Sequence, residues 1–328
     1  MVALTGQVGR RRVLTASILL VAIAAAMSAL APNFAVLNIG RVIAAAGAGI
    51  FTPIAAAVAA ALYPEDQRAK VLAAVFFGLT LSQIIGVPAG SWIAYSVGWR
   101  WAFWLVFALS VPLIVLVWRR VPTGLRFQPV SINDLGQVLV QGRMMLAIMF
   151  TSSFLGSIYV LYTFIAPLLS ETMGYGGDGI AAVLLAFGCG AVCGNIMGGI
   201  LADRLGWWIT LLTLCVSQIV IMPIYSILPL QTGIVLLVSF AWALFGWAFM
   251  AGQQLRLLQL AGPQAPVVLA LNAAAIYLGA AAGSALGSLI ITSIGYLALG
   301  LAAGFAATFA LLHLVISSRF SPVTPSPS

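Results

Sequence analysis

Gly199-Ile-Leu-Ala-Asp-Arg-Leu-Gly206 is a short polar turn between two long apolar runs, 179–202 and 207–228. Each run has about the 20 apolar residues a helix needs to cross a bilayer. A charged turn between two such runs connects membrane spans. Composition agrees: of 328 residues, 63% are hydrophobic and only 6% charged. A soluble domain carries roughly 25% charged residues, so this chain has too few charges to solvate a globular surface. The turn also has a faint twin at the start of the chain, Leu4-Thr-Gly-Gln-Val-Gly-Arg-Arg-Arg12.

Working outward from the turn, ten apolar runs lie near 13–31, 34–61, 71–95, 101–118, 145–169, 179–202, 207–228, 232–253, 266–291 and 297–316. Helices are expected, because barrel strands would alternate apolar and polar residues. With ten spans, both termini share a side with every second loop. That side receives Arg10, Arg11, Arg12, Arg68, Lys70, Arg119, Arg120, Arg126, Arg143, Arg204, Arg256 and Arg319, the other only Arg100. This bias places the first side, with both termini, in the cytoplasm. The net charge of +8 is thus an orientation signal, and no nucleic-acid partner is expected. On the opposite side Trp92, Trp99, Trp101 and Trp104 cluster as an interfacial aromatic belt. No cleavable signal peptide is expected, since the run after Arg10–Arg12 is long enough to stay in the bilayer. Cys189, Cys193 and Cys215 all lie inside apolar runs, which argues against a disulfide framework.

The two halves register at a fixed offset of 197 residues. Gly9 falls on Gly206, Gln67 on Gln264, and Val71, Leu72 and Ala73 on Val268, Leu269 and Ala270. Gly86 and Gly90 fall on Gly283 and Gly287, and Ser91, Ser96 and Gly98 on Ser288, Ser293 and Gly295. Doubled helical bundles are a signature of secondary transporters, with the substrate site between the halves. The second half has two spans, 145–169 and 179–202, before the position equivalent to residue 1, and the first half has none. Two helices, roughly 55 residues, are therefore expected to be missing ahead of Met1. A truncation, a start placed too late and a true ten-span form all fit.

These residues resemble the major facilitator superfamily. The 199–206 turn matches its G-x-L-A-D-R-x-G loop, and Leu4–Arg12 looks like the first-half copy. Ile39-Gly-Arg-Val-Ile-Ala-Ala-Ala-Gly-Ala-Gly49 is similar to the arginine-bearing motif of the family's fourth helix. Gly78 to Gly90, with Gly86, Pro88 and Gly90, resembles the glycine-proline motif of its fifth helix, which is associated with antiporters. Gln253–Gln264 followed by Ala270-Leu-Asn-Ala resembles the sugar-efflux and arabinose-efflux branch of the drug:proton antiporters. The resemblance covers nearly the whole chain as spans three to twelve of twelve.

It implies an all-α membrane protein of the major facilitator fold, in two pseudo-symmetric bundles. Residues 1–118 form a four-helix bundle, 119–143 a cytoplasmic linker, 144–316 a six-helix bundle and 317–328 a disordered tail. The expected activity is efflux of a small solute (a sugar, a nucleoside or a drug) by alternating access. Proton antiport is implied by the resemblance only. A monomer in a bacterial-type inner membrane is expected, with no cofactor and no metal. A non-transporting remnant is the alternative.

The gating loop is assigned to Gly199, Asp203, Arg204 and Gly206, with Gly9, Arg10 and Arg11 in the first copy. At the equivalents of Asp203 and Arg204 stand Gly6 and Gln7, so only the second copy carries the acid. One reading is a cytoplasmic latch that breaks as the halves rock; the other is a topology-setting turn. Arg41 lies about 10 Å into its span at 1.5 Å per residue, where a charge costs roughly 2.5–3.5 kcal/mol. It reads either as a substrate or coupling group or as a snorkelling arginine. Gln83, Tyr159, Tyr162, Asn195, Trp242, Trp247, Asn272 and Tyr277 are polar or amphipathic groups within spans and candidates for a central cavity.

The acids Glu65, Asp66, Asp134, Glu171, Asp178 and Asp203 all lie in loops or at span ends. In the resembled family the coupling acid often lies on the first helix, one of the two expected to be missing ahead of Met1. His313, the sole histidine, sits near the cytoplasmic end of the last run, and an interfacial role is expected for it. No metal-ligand spacing, phosphate loop or nucleophile–base–acid set can be assembled, so an enzyme is not expected.

Overall fold

The computed structural model describes residues 9–64, 71, 78, 81–123 and 132–319. Of the positions read above, Leu4–Val8, Glu65–Lys70, Leu72, Ala73, Arg126 and the tail beyond Arg319 lie outside them, as do the side chains of Gln83 and Asp134. Among the described residues every regular element is helical.

The first unit ends at Ile132. Helix α1 (Arg10–Ala29) is followed by α2 (Phe34–Leu62), whose first turn is capped by Asn33: its side chain accepts the Val36 amide at 3.0 Å. After a π-helical turn, Ser82–Gly86, come α3 (Val87–Ile93), a second π turn, Ala94–Gly98, and α4 (Trp99–Arg120). α1 packs on both α2 and α4. Val13 and Leu14 meet Ile54 and Val58 in a small apolar core.

The second unit begins at Asn133. Its helices are α5 (Ile132–Leu139, which begins at the boundary), α6 (Gly142–Tyr162), α7 (Ile165–Met173), α8 (Gly177–Ile221), α9 (Thr232–Trp247), α10 (Phe249–Ala261), α11 (Ala265–Ser293) and α12 (Ala298–Arg319). The stretch read as a linker, 119–143, thus includes α5, whose Val138 is fully buried beside Met144, Ala147 and Ile148. α6 is the hub, packed between α11 and α12, while α8 packs on α9, α10 and α12.

Among the described residues, eight continuous helical stretches are long and apolar enough to cross a membrane. Two of them hold two crossings each. α8 has 45 residues, about 68 Å at 1.5 Å per residue, more than twice a hydrocarbon core of about 30 Å. Its one non-helical residue is Gly206, at φ 73° and ψ 167°. Ile84–Arg120 is likewise interrupted at Gly98, at φ 115°. Cutting both there gives ten helical segments that fall on the ten apolar runs; of the run 71–95, residues 72–77 and 79–80 lie outside the described residues. Gly295, the repeat partner of Gly98, has φ 113°, so the two halves turn on a glycine of the same positive φ at the same register. Only glycine takes these angles without strain.

Close approach of helices in the second unit also depends on glycine. Gly190, Gly194 and Gly198 of α8 lie against the backbone of Phe240, Leu244 and Ala248, and Gly279, Gly283 and Gly287 of α11 against that of Ser152, Gly156 and Val160 on α6. A side chain at any of them would overlap a carbonyl oxygen. Such small-residue seams bring membrane helices into contact when no hydrophobic effect drives them together.

Candidate functional site

The second bundle encloses two groups of side chains that a purely lipid-facing helix would not carry. The first is a hydrogen-bonded polar chain. Thr151 on α6 donates its hydroxyl to Asn272 Oδ1 on α11 at 2.6 Å, and accepts from Gln253 Nε2 on α10 at 3.0 Å. The Gln253 amide also donates to the Ala147 carbonyl at 2.9 Å. One helical turn further along α10, the fully buried Arg256 donates to Ser317 of α12 at 2.9 Å. Its guanidinium lies 4.9 Å from the Trp207 ring and 5.8 Å from that of Phe150, a cation–π seat for a charge removed from water. On α12, His313 bonds through both ring nitrogens to α6: Nδ1 to Ser153 Oγ at 2.7 Å and Nε2 to the Leu146 carbonyl at 2.9 Å. The helices are therefore tied by polar bonds as well as by glycine seams. Leaving such groups unpaired in an apolar interior costs several kcal/mol each, which is why they bond to each other.

The second group is aromatic. Tyr162 stacks on Phe187 at 4.7 Å and meets the edges of Tyr159, Trp242 and Trp247 at 5.6, 6.3 and 6.0 Å. Trp242 is fully buried, and its ring also touches Phe187 and Tyr225. Tyr225 is bonded to Ser239 at 2.6 Å, and Gln218 Nε2 donates to the Trp242 carbonyl at 3.4 Å. Tyr159, Tyr162 and Trp247 are only half-buried, so the cluster has a closed interior and an open rim. A rim of amphipathic rings on a rigid base suits a small solute with both an apolar face and hydrogen-bonding groups.

The sequence profile of the Major Facilitator Superfamily matches residues 1–265. The chain belongs to that superfamily. It is a multi-pass membrane transporter, and proteins of this superfamily sit in a lipid bilayer and move small molecules. It is similar to the MFS-type transporter YtbD of Bacillus subtilis (strain 168), with 31% identity over 274 residues, 82% of this chain and 69% of that one. It is also similar to the inner membrane transport protein YdhP of Escherichia coli (strain K12), with 29% identity over 301 residues, 91% and 77% of the two chains. The fold matches the crystal structure of a bacterial homologue of the human lysosomal transporter Spinster. There the TM-score is 0.71 at 15% identity, covering 98% of this chain and 84% of that one.

The residues singled out in this superfamily member's sequence fall into three settings. Tyr159, Trp242 and Asn272 join the two groups just described, together with Tyr162 and Trp247. Asn195 and Tyr277 are exposed on α8 and α11. Trp242 and Asn272 are buried, with 0% and 3% of their surface exposed, so in this conformation their side chains hold helices together. Arg41 is exposed on α2, 5.9 Å from the Phe103 ring. Gly86 ends the π turn that precedes α3, and Pro88 and Gly90 lie in its first two turns; Pro88 is buried.

The two copies of the gating turn differ. In the second, Asp203 and Arg204 are exposed just ahead of the Gly206 break, and Gly206 accepts from Thr210 Oγ1 at 2.8 Å. Beside Gly199 there is room for a side chain. In the first, Gly9 caps α1, Arg10 is buried, and Arg11 stacks 4.2 Å over Trp118 at the end of α4.

One assignment changes. Arg256 counted among the cytoplasmic loop charges, but α10 runs on to Ala261 and buries it completely. His313, expected at an interface, is half-buried and also bonded to α6 from both nitrogens. Thr151, Ser153, Gln253 and Ser317 were not singled out as site residues. Their nearest signal was Gln253 three residues before Arg256, a spacing that puts both on one helix face.

Proposed function

We propose that this protein is a secondary active exporter that moves a small solute (a sugar, a nucleoside or a drug) by alternating access in exchange for protons. The observation that carries this reading is the polar chain Asn272–Thr151–Gln253, with Arg256–Ser317 and Ser153–His313 alongside. Membrane proteins rarely keep charged and titratable groups within spans unless they serve a pathway or a relay. The resemblance of the Gly78–Gly90 segment to an antiporter motif supports exchange. The open aromatic rim of Tyr159, Tyr162 and Trp247 is assigned to solute contact, with Asn195, Tyr277, Gln83 and Arg41 as further candidates. The protein acts as a monomer in a bacterial inner membrane with both termini cytoplasmic.

Flux in proteoliposomes tests this. Purified full-length protein is reconstituted and supplied with labelled sugars, labelled nucleosides and a cationic drug such as ethidium, with and without an imposed pH gradient. Gradient-driven movement of at least one solute is expected. No movement of any would favour the non-transporting remnant.

The exposed pair Asp203 and Arg204 is assigned to the latch. Asp203→Asn is expected to change the transport rate while leaving the fold intact; an unchanged rate would leave only a topology-setting turn.

A further inference from the structure

We propose that Nδ1 of His313 is the proton-binding atom of this transporter. The proposal rests on the antiport reading and names the group that would carry the proton. The hydrogen bonds around the ring determine its tautomer. Nε2 lies 2.9 Å from the Leu146 carbonyl, which can only accept, so Nε2 carries a proton. In the neutral ring Nδ1 is then an acceptor, and the Ser153 hydroxyl donates to it at 2.7 Å. Ser153 Oγ also lies 3.4 Å from the Met149 carbonyl. When a proton from solvent adds to the Nδ1 lone pair, the imidazolium Nδ1–H donates to Ser153 Oγ, and the hydroxyl proton turns to Met149. No bond of the pair is lost in either state. A hydroxyl rotation is all that the change requires, so the site takes up and releases a proton without breaking the α6–α12 contact.

The surroundings fit a proton that comes and goes. His313 is half-buried, so its ring is not sealed inside the bundle. Its ring meets Phe150 at 6.0 Å and Phe309 at 6.3 Å. Arg256, on α10, is the charged group that bears on it; the other contacts from α6 are Leu146, Phe150 and Ser153, and Phe309 comes from its own helix. Arg256 and His313 share Phe150 as a neighbour, and Arg256 holds Ser317 one turn along α12 from His313. A second positive charge on His313 is therefore felt by the polar chain through Arg256. Both partners of His313 are on α6, the helix that also carries Thr151, Tyr159 and Tyr162. The charge state of His313 is thus read by the helix that carries part of the aromatic rim. Histidine is the side chain whose unperturbed charge change falls near neutral pH. The described acids Glu171, Asp178 and Asp203 are exposed.

The chain contains one histidine, so ring-15N-labelled histidine in full-length protein in lipid nanodiscs reports this site alone. The expected result is a neutral ring with its proton on Nε2 that protonates at Nδ1 in a single step as the pH is lowered. Ser153→Ala should move the Nδ1 resonance of the neutral form and leave that of Nε2. A neutral ring carrying its proton on Nδ1, or one that stays neutral down to the pH at which the protein unfolds, overturns the site. In the flux assay above, His313→Gln should lower gradient-driven movement by about tenfold or more, within the range of ordinary coupling energies. Gradient-driven movement at the wild-type rate overturns the coupling role. If wild-type protein moves solutes without regard to the gradient, the antiport reading fails and the coupling role with it, while the histidine spectrum still decides whether the protonation site exists.

Discussion

Gly86 and Gly90 in the first bundle and Gly283 and Gly287 in the second stand 197 residues apart, at equivalent positions of the repeat. A methyl group added at Gly283 or Gly287 would run into the backbone of Gly156 or Val160 on α6. Among the described residues, the same methyl at Gly90 would meet nothing within 4 Å, and at Gly86 only Ser82 Cβ at 3.6 Å. The surrounding helices differ in the same way. In an apolar 18-residue stretch of Ile84–Arg120 6% of the residues are buried, against 61% in that of Gly142–Met173, although the first stretch is the more apolar, with mean hydropathies of 2.3 and 1.8. Hydropathy reports which segments leave water, while burial reports which ones find a protein neighbour there. The same glycine pair is thus a helix seam in one half and, among the described residues, an open face in the other.

The largest expected effect comes from closing the seam. Gly283→Leu forces a branched side chain into the α6 backbone and should destabilise the protein by about 3 kcal/mol or more. Gly90→Leu should stay within about 0.5 kcal/mol. Thermal unfolding in detergent, followed by loss of monodisperse protein, reads both; equal losses would break the contrast. The two gating turns give the next test. Gly206 at φ 73° and ψ 167° cannot carry a side chain without strain, whereas Gly9 at φ −56° and ψ 133° can. Gly206→Ala should cost about 1–3 kcal/mol and Gly9→Ala almost nothing, in the same assay. The smallest effect is at the polar chain. Thr151→Val keeps the shape but removes the hydroxyl between Asn272 and Gln253. It should cost about 1–2 kcal/mol, since such bonds in membranes are worth about 0.6–1.7 kcal/mol. A neutral substitution would show that Asn272 and Gln253 find other partners.

Much of this architecture was legible in the residues. A span is a local property: about 20 apolar residues in succession must leave water, whatever surrounds them. The turns at Gly98, Gly206 and Gly295 were legible as well, because polar residues and glycine interrupt the runs there. The register of the repeat placed Gly98 on Gly295 before their backbone angles were seen to agree. The site was less legible. Asn272 and Trp242 were visible as polar or amphipathic groups in apolar runs, but not which groups they bond. Ser153 and His313 are 160 residues apart, Leu146 and His313 167, and Thr151 and Asn272 121. No periodicity within one helix encodes such pairs.

Arg256 and His313 show where the division falls. The sequence by itself determined the membrane class, the crossings, the doubled plan and the glycine turns at Gly98, Gly206 and Gly295, because each follows from the transfer of local apolar surface or from backbone sterics. Only the tertiary structure decided that Arg256 is buried and that His313 bonds to Ser153 and Leu146. The cost of a polar group inside a bundle depends on which groups from distant helices stand opposite it, and packing alone settles that.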